Sequence, residues 1–372
     1  MTFNTGLNRV TIGNFEGLPA GMAGSLAHEW LATWSIAPRM RSALDCPDLP
    51  AIPSAGKKDI LLGAVRDLPK GLLRGPLVVL RQSAQNLQAA KMQACSAYPP
   101  ALNARLEAGD PQAKALAEQL GVTLAATAAT LKLAPAESRA ARSEWPAAHW
   151  ERWQQVQNIV LGGGVLSGTL GRQLHATASQ WLPKLGAGEL RLHLFPEPRE
   201  LMLHGLARQF ASGPAVVLDA GHTAIKHAFV QLASGEVVQF ASAPPLPVPY
   251  QISDGRELLA YLVQTFVNTI PTGQTATQFG LSLSAHLDAA GNILPSAASG
   301  SFYGSLVGLK LQDRLQEALA QALGQPCTVR VLHEGQAAVR GLAGVDAAIL
   351  LGTSVGGGFK ADGQGTALSA WE

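Results

Sequence analysis

Val216-Val217-Leu218-Asp219-Ala220-Gly221-His222-Thr223-Ala224-Ile225-Lys226 is the stretch whose reading decides the fold. An apolar run, Ala215–Leu218, stops at Asp219. A second, alternating run takes over at Ile225, Ala228, Val230 and Leu232 and closes at Ser234-Gly235. The pattern predicts a β-hairpin whose tight turn carries a carboxylate, a glycine and a hydroxyl. Those groups suit phosphate. Gly221 lets backbone N–H groups approach an anion, Thr223 adds a hydroxyl donor, and Asp219 can hold a hydrated Mg²⁺ facing the phosphates. An ordinary hairpin turn carries the same three residues often enough that the stretch alone leaves both readings open.

Two further turns repeat the design. Ala347–Leu351 is apolar and empties into Gly352-Thr353-Ser354-Val355-Gly356-Gly357-Gly358-Phe359, and Asn158–Leu161 runs into Gly162-Gly163-Gly164. A nucleotide laid between two lobes needs such turns on both its phosphate side and its adenosine side.

These residues carry a family resemblance. Asp-Ala-Gly-His-Thr from 219, Leu-Gly-Thr-Ser-Val-Gly-Gly-Gly from 351 and Ile-Val-Leu-Gly-Gly-Gly-Val from 159 resemble the phosphate-1, phosphate-2 and adenosine motifs of the actin, hexokinase and heat-shock ATPase superfamily. Within it the chain is most similar to the ROK (repressor, ORF, kinase) sugar kinases. The segment from Phe279 to Ile293 resembles that family's sugar loop, and His333-Glu-Gly-Gln-Ala-Ala-Val its catalytic segment. Leu106–Ala113 and Gly21–His28 resemble a helix start and the Gly-His turn. The family's order is kept only cyclically, since the chain begins near the Gly-His turn, passes the adenosine motif at 162–164 and only then reaches phosphate 1 at 219. A circular permutation is therefore expected, with the old C-terminal helix (near Glu200–Phe210) joined to the old first strand through Ala211-Ser212-Gly213-Pro214.

The resemblance implies an α/β fold of two ribonuclease-H-like lobes in permuted order. Residues 200–330 form the lobe with phosphate 1. Residues 1–199 plus 331–372 form the lobe with the adenosine and phosphate-2 motifs, carrying an insertion near 38–100. It also implies ATP and Mg²⁺ as cofactors, with Asp219 on the metal. Gly221, Thr223, Gly352, Thr353, Gly356, Gly357 and Gly162–Gly164 fall on the nucleotide, and Glu334 is the general base. A substrate sugar or polyol would meet His28, His286 and Gln336. Two of these keep a second reading: Glu334 as a carboxylate favoured in the first turn of a helix, and His28 as a helix-face histidine bonded to backbone.

Several positions depart from the family. Glu334 and Gln336 are one methylene longer than its aspartate and asparagine, an extra reach of about 1.5 Å. His222 replaces a glycine of phosphate 1, Ala285-His286 replaces a proline-glycine, and Ser25 and Ser299 stand where the family has glutamate and asparagine. The nucleotide side is better kept than the sugar side. Two functions follow: an ATP-dependent phosphotransferase acting on a hydroxyl of a sugar-like molecule, or a catalytically weak relative that binds nucleotide or sugar as a sensor or scaffold.

Composition bounds the rest. With 372 residues, 47% hydrophobic and 15% charged, the chain suits two globular lobes. A net charge of +2 gives no electrostatic case for nucleic acid or an anionic membrane as partner. The three scattered cysteines, Cys46, Cys95 and Cys327, predict no disulfide framework and no zinc site, and fit a cytoplasmic setting. Met1–Arg9 lacks the apolar core of a secretory signal, and no apolar run is long enough to span a membrane. A homodimer is compatible with all of this.

Helical spacing predicts helices over Gly21–Trp34, Asn86–Tyr98, Asp110–Leu133, Pro135–Val156 (broken at Pro146), Leu170–Trp181 and Glu200–Phe210. Val10–Gly17 reads as a short strand, Pro38–Ser54 as irregular, and Lys57–Arg81 as an inserted strand pair. From Pro214 the pattern is strand, strand, strand, helix (Gly255–Asn268), strand (Thr277–Leu283), helix (Gly308–Leu323). Cys327–Leu332 is read as opening the second such unit. Trp145, Trp150 and Trp153 are read as packing, with ring stacking on a ligand left open.

Overall fold

A computed structural model describes residues 7–44, 46–53, 90–288, 290–295, 302–360 and 365–366. The front of the chain is largely helical. α1 (His28–Leu31) and α2 (Thr33–Ala43) are short and joined through the extended Ala32. Pro38 lies inside α2, although its pattern predicts irregular chain from that residue on. The missing N–H costs one helical bond, and burial of Ile36, Ala37 and Met40 in the core outweighs it.

α3 (Tyr98–Glu107) leads to α4 (Pro111–Leu133), which starts where the sequence predicts. Asp110 accepts hydrogen bonds from the N–H groups of Gln112 and Ala113 at 2.8 and 3.2 Å, and Pro111 takes the first helical position. From Leu120 to Leu131 every residue of α4 is buried, because apolar side chains surround the axis. α5 (Ala136–Ala141) and α6 (Ala147–Gln155) follow. Then come β1 (Asn158–Gly162), α7 (Gly168–Trp181), β2 (Arg191–Leu194) and α8 (Leu201–Ala207). Trp145, Trp150 and Trp153 are all buried in this core.

The next segment builds a five-stranded sheet. β3 (Gly213–Ala220), β4 (Ala224–Ala233) and β5 (Glu236–Pro247) form an antiparallel meander, so the predicted hairpin at 216–226 is present. α9 (Gly255–Thr269), β6 (Gln278–Leu283), α10 (Leu311–Leu323) and β7 (Thr328–His333) complete it. The strand order is β5-β4-β3-β6-β7, with β6 and β7 parallel to β3. That is the ribonuclease-H-like order. β7 closes this first sheet instead of opening the second unit. β5 is an edge strand, mostly exposed, that ends in Pro244-Pro245-Leu246-Pro247.

α11 (Glu334–Val339) leaves β7 directly and leads through β8 (Gly341–Leu342) to β9 (Ala347–Leu351) and β10 (Val355–Phe359). β11 (Gly365–Thr366) pairs with β8. The second sheet runs β10-β9-β1-β2: an antiparallel hairpin from the back of the chain beside two parallel strands from its middle. Among the described residues Val10–Gly17 is no sheet strand. Thr11 makes an isolated bridge to Leu26, and Leu7 N–H donates to Val355 O. The strand pair predicted at Lys57–Arg81, and Ser299-Gly300-Ser301, lie outside the described residues. Among those described, no helix is long and apolar enough to cross a membrane.

Each sheet has its own core, and a third cluster joins them. That middle layer is α8 and α11, pressed between Val217 and Val230 of the first sheet and Val160, Ala348 and Leu350 of the second. Its spacing is set by backbone contact. A Cβ on Gly205 would stand 1.7 Å from the carbonyl oxygen of Ala337, and one on Gly335 would stand 1.8 Å from that of Gly357. Gly335→Ala should therefore destabilise the protein by about 3 kcal/mol or more, against a helix-propensity gain of at most about 1. Gly352→Ala, where a Cβ meets nothing within 4 Å, should stay within about 0.5 kcal/mol of wild type. Denaturant unfolding of the two variants checks this, and equal midpoints would overturn the backbone-contact account.

Candidate functional site

Between the two sheets lies a cleft of about 560 Å³. Its walls bring together Asp219, Gly221, His222, Thr223 and Lys226 of the β3–β4 turn with Gly352, Thr353 and Ser354 of the β9–β10 turn. Gly163, Gly164, Arg199 and Glu200 wall the second lobe's side, and Ser284, Glu334 and Gly356 also face the space. The three glycine turns singled out in the sequence thus open into one space. A volume of this size lies within the range of small-molecule sites.

The β3–β4 register sets Asp219 opposite Lys226. Asp219 is almost fully buried and both of its oxygens are engaged. Lys226 Nζ donates to Oδ2 at 2.5 Å and Ser282 Oγ donates to Oδ1 at 2.6 Å. A buried carboxylate needs such partners to remain ionised. The turn itself is held from behind by two tyrosines. Tyr303 Oη donates to Gly221 O at 2.8 Å, and Tyr250 Oη donates to His222 O. Burial pushes the Tyr250 phenol up to about 12 and Tyr303 well above its usual value, so both stay donors. Desolvation lowers the pKa of His222 and so favours its neutral imidazole. Tyr250 Oη also lies 3.5 Å from Met92 Sδ, a contact that links the first lobe to the helical front of the chain.

On the other side Thr33 fixes the β9–β10 turn. Its N–H and Oγ1 both donate to Gly352 O, at 2.9 and 2.7 Å. Gly163, at φ +101°, passes so close to Leu351 that a Cβ would stand 2.3 Å from its carbonyl oxygen. This residue must be glycine, and its role in the turn is to let two backbones meet.

Glu334 enters at the first turn of α11, where His333 is the N-cap and accepts from Gly335 N–H. Its carboxyl reaches into the cleft and Ser284 Oγ donates to Oε2. Desolvation raises its pKa to about 7; Ser284 lowers it, Asp219 raises it and Lys226 lowers it. A carboxyl poised near neutrality beside the glycine turns can accept or release a proton.

Other predicted residues sit elsewhere. Gly357 and Gly358 are strand residues of β10 packed against Gly335, and a Cβ on Gly357 would also press on Leu7 at 3.0 Å. The missing side chain of Gly358 admits α11 and that of Gly357 admits Leu7, and only Gly356 of the three lines the cleft. Gly162 is buried against Leu201 and Leu350. His28 does not line the cleft. Its Nδ1 donates to Asn8 O and its ring stacks on Trp34 at 5.3 Å, which is the backbone-bonded reading. His286 stacks on His333 with centroids 5.6 Å apart, and Gln336 is exposed; neither lines the cleft. The sequence reading missed Lys226, Ser282 and Ser284. The signal was there for one of them: a lysine seven residues after Asp219 across a tight hairpin.

No protein-family model matches the chain, and no curated protein matches it. Among solved structures it aligns with an inorganic polyphosphate/ATP-glucomannokinase from Arthrobacter sp. strain KM, at 24% identity over 41% of this chain and 60% of that one, TM-score 0.30. A Ppx/GppA phosphatase from Aquifex aeolicus aligns at 10% identity over 47% and 72%, TM-score 0.29. Ethanolamine utilization protein EutJ from Carboxydothermus hydrogenoformans aligns at 10% identity over 54% and 69%, TM-score 0.26. The chain thus spans 60% of the glucomannokinase's length. With one five-stranded sheet of ribonuclease-H-like order, a four-stranded sheet that matches it but for one edge strand, and a cleft between them, the chain has the actin-like ATPase fold.

Proposed function

We propose that the protein is an ATP-dependent phosphotransferase that moves the γ-phosphoryl group to a hydroxyl of a small, sugar-like molecule. One observation carries the reading: Glu334, a carboxyl raised to about 7, shares a cleft with the Asp219–Lys226 pair and the Gly352–Ser354 turn. Phosphoryl transfer to an alcohol needs a base at the acceptor, cationic groups at the phosphates and donors that hold them in line. Glu334 takes the first role, Lys226 the second, and Thr223, Thr353 and the turn N–H groups the third. Arg199, 3.9 Å from where a Cβ of Gly164 would stand, covers the adenosine side.

Asp219 offers one carboxylate, already ion-paired with Lys226 and hydrogen-bonded by Ser282. That donor set fits a magnesium ion carried on the nucleotide's phosphates and met through water, not a self-sufficient metal site. When bound, the ion would neutralise phosphate charge. The order of the β9–β10 hairpin and β1 along the chain supports reading it as a circularly permuted relative of the ROK kinases. The free cysteines Cys46, Cys95 and Cys327 agree with a reducing compartment.

Removing the carboxylate tests the nucleotide assignment. Asp219→Asn should weaken Mg·ATP binding at least tenfold by calorimetry, and equal affinities would remove Asp219 from the site. Glu334 gives two pH signatures. As a base it must be ionised, so turnover should fall about tenfold per unit below pH 7, and Glu334→Gln should lose 10²–10⁴ in kcat with little change in ATP affinity. A limb that persists in the Gln variant would clear Glu334 of the role.

The stability signature runs the other way. The folded pKa of about 7 lies above the ordinary 4.5, so the fold prefers the protonated form, and this contribution is full below pH 4.5 and gone above 7. Glu334→Gln should therefore match wild type at low pH and exceed it above pH 7, by up to about 3 kcal/mol. A Gln variant that is less stable at pH 8 would instead show a helix-end carboxylate.

A further inference from the structure

β6 ends at Leu283, with Ser282 inside the strand and Ser284 one residue past its end. The two hydroxyls serve different carboxylates. Ser282 Oγ donates to Asp219 and is fully buried, so no ligand reaches it. Ser284 Oγ donates to Glu334 Oε2 and lines the cleft with Lys226, Gly352 and Thr353. A hydroxyl in contact with a carboxylate, inside a cleft built for phosphate, is a nucleophile paired with its base. Among the described residues no such bond joins a carboxylate to the other hydroxyls of the phosphate turns, Thr223, Thr353 and Ser354.

The length of the glutamate makes this pairing. An aspartate at 334 would stop one methylene short, leaving room for an incoming acceptor; Glu334 extends to Ser284 and the serine hydroxyl stands where an acceptor hydroxyl would. We propose that Ser284 is itself a phosphoryl acceptor in this cleft, with Glu334 as its base, so that the protein phosphorylates its own Ser284 from a nucleoside triphosphate. The step rests on the reading of the cleft as an ATP site. The Ser284 Oγ–phosphorus bond forms as the bond from the γ-phosphorus to the β,γ-bridging oxygen breaks; the serine proton passes to Glu334, and the nucleoside diphosphate leaves with the bonding electron pair.

The test is incubation of the full chain with Mg·ATP and no added acceptor, followed by intact mass and peptide mapping. A single added phosphoryl group on Ser284 is expected. Ser284→Ala should carry none, and Ser284→Thr, which keeps a hydroxyl, should move the mark to phosphothreonine. Glu334→Gln should slow marking by about 10²–10⁴. A mark on any other residue, or an unmarked protein that binds Mg·ATP in calorimetry, would overturn the proposal. Phosphate transfer to a polyol with Ser284 unmarked would overturn it too, and leave the kinase reading standing. A marked Ser284 with no polyol product would support it and discard the sugar acceptor. Absence of any Mg·ATP binding would overturn both.

Discussion

The molecule depends on a contact in which no side chain takes part. Gly335 of α11 lies against the backbone of Gly357 and Gly358 in β10, and Gly205 of α8 lies against Ala337. These contacts join α8 to α11 and α11 to the second sheet at backbone distance. Because Glu334 precedes Gly335 by one residue, the same contact fixes where its carboxyl enters the cleft. The position of the proposed base is thus a packing property of the interlobe layer.

Much of the fold was legible because its signals are local. Asp110-Pro111 announces α4, the alternation around Asp219 announces the β3–β4 hairpin, and the glycine turns mark the ends of β1 and β9. The sheet to which β7 belongs was not legible. Its apolar alternation is the same whichever neighbour it pairs with, and only the parallel register with β6 decides. Pro38 misled for a related reason, since the burial that compensates it is tertiary.

The site divides along the same line. Asp219, Glu334 and Gly352–Thr353, singled out by the motif resemblance, do line one cleft. Gly358 could not be sorted from Gly352, since a glycine packed against a helix and one open to the cleft share the same absence of a Cβ. Lys226 and the two serines were missed because their partners are distant: Ser282 is 63 residues from Asp219 and Ser284 is 50 from Glu334. A hydrogen bond across that separation leaves no periodic trace.

The edge of the first sheet has a consequence for the molecule's life in concentrated solution. β5 exposes a row of backbone groups that another chain's strand could extend. Pro244, Pro245 and Pro247 withdraw three donors from its final stretch, where Ser242–Pro245 border the cleft. A foreign strand growing along β5 toward the cleft would run out of hydrogen bonds before reaching it.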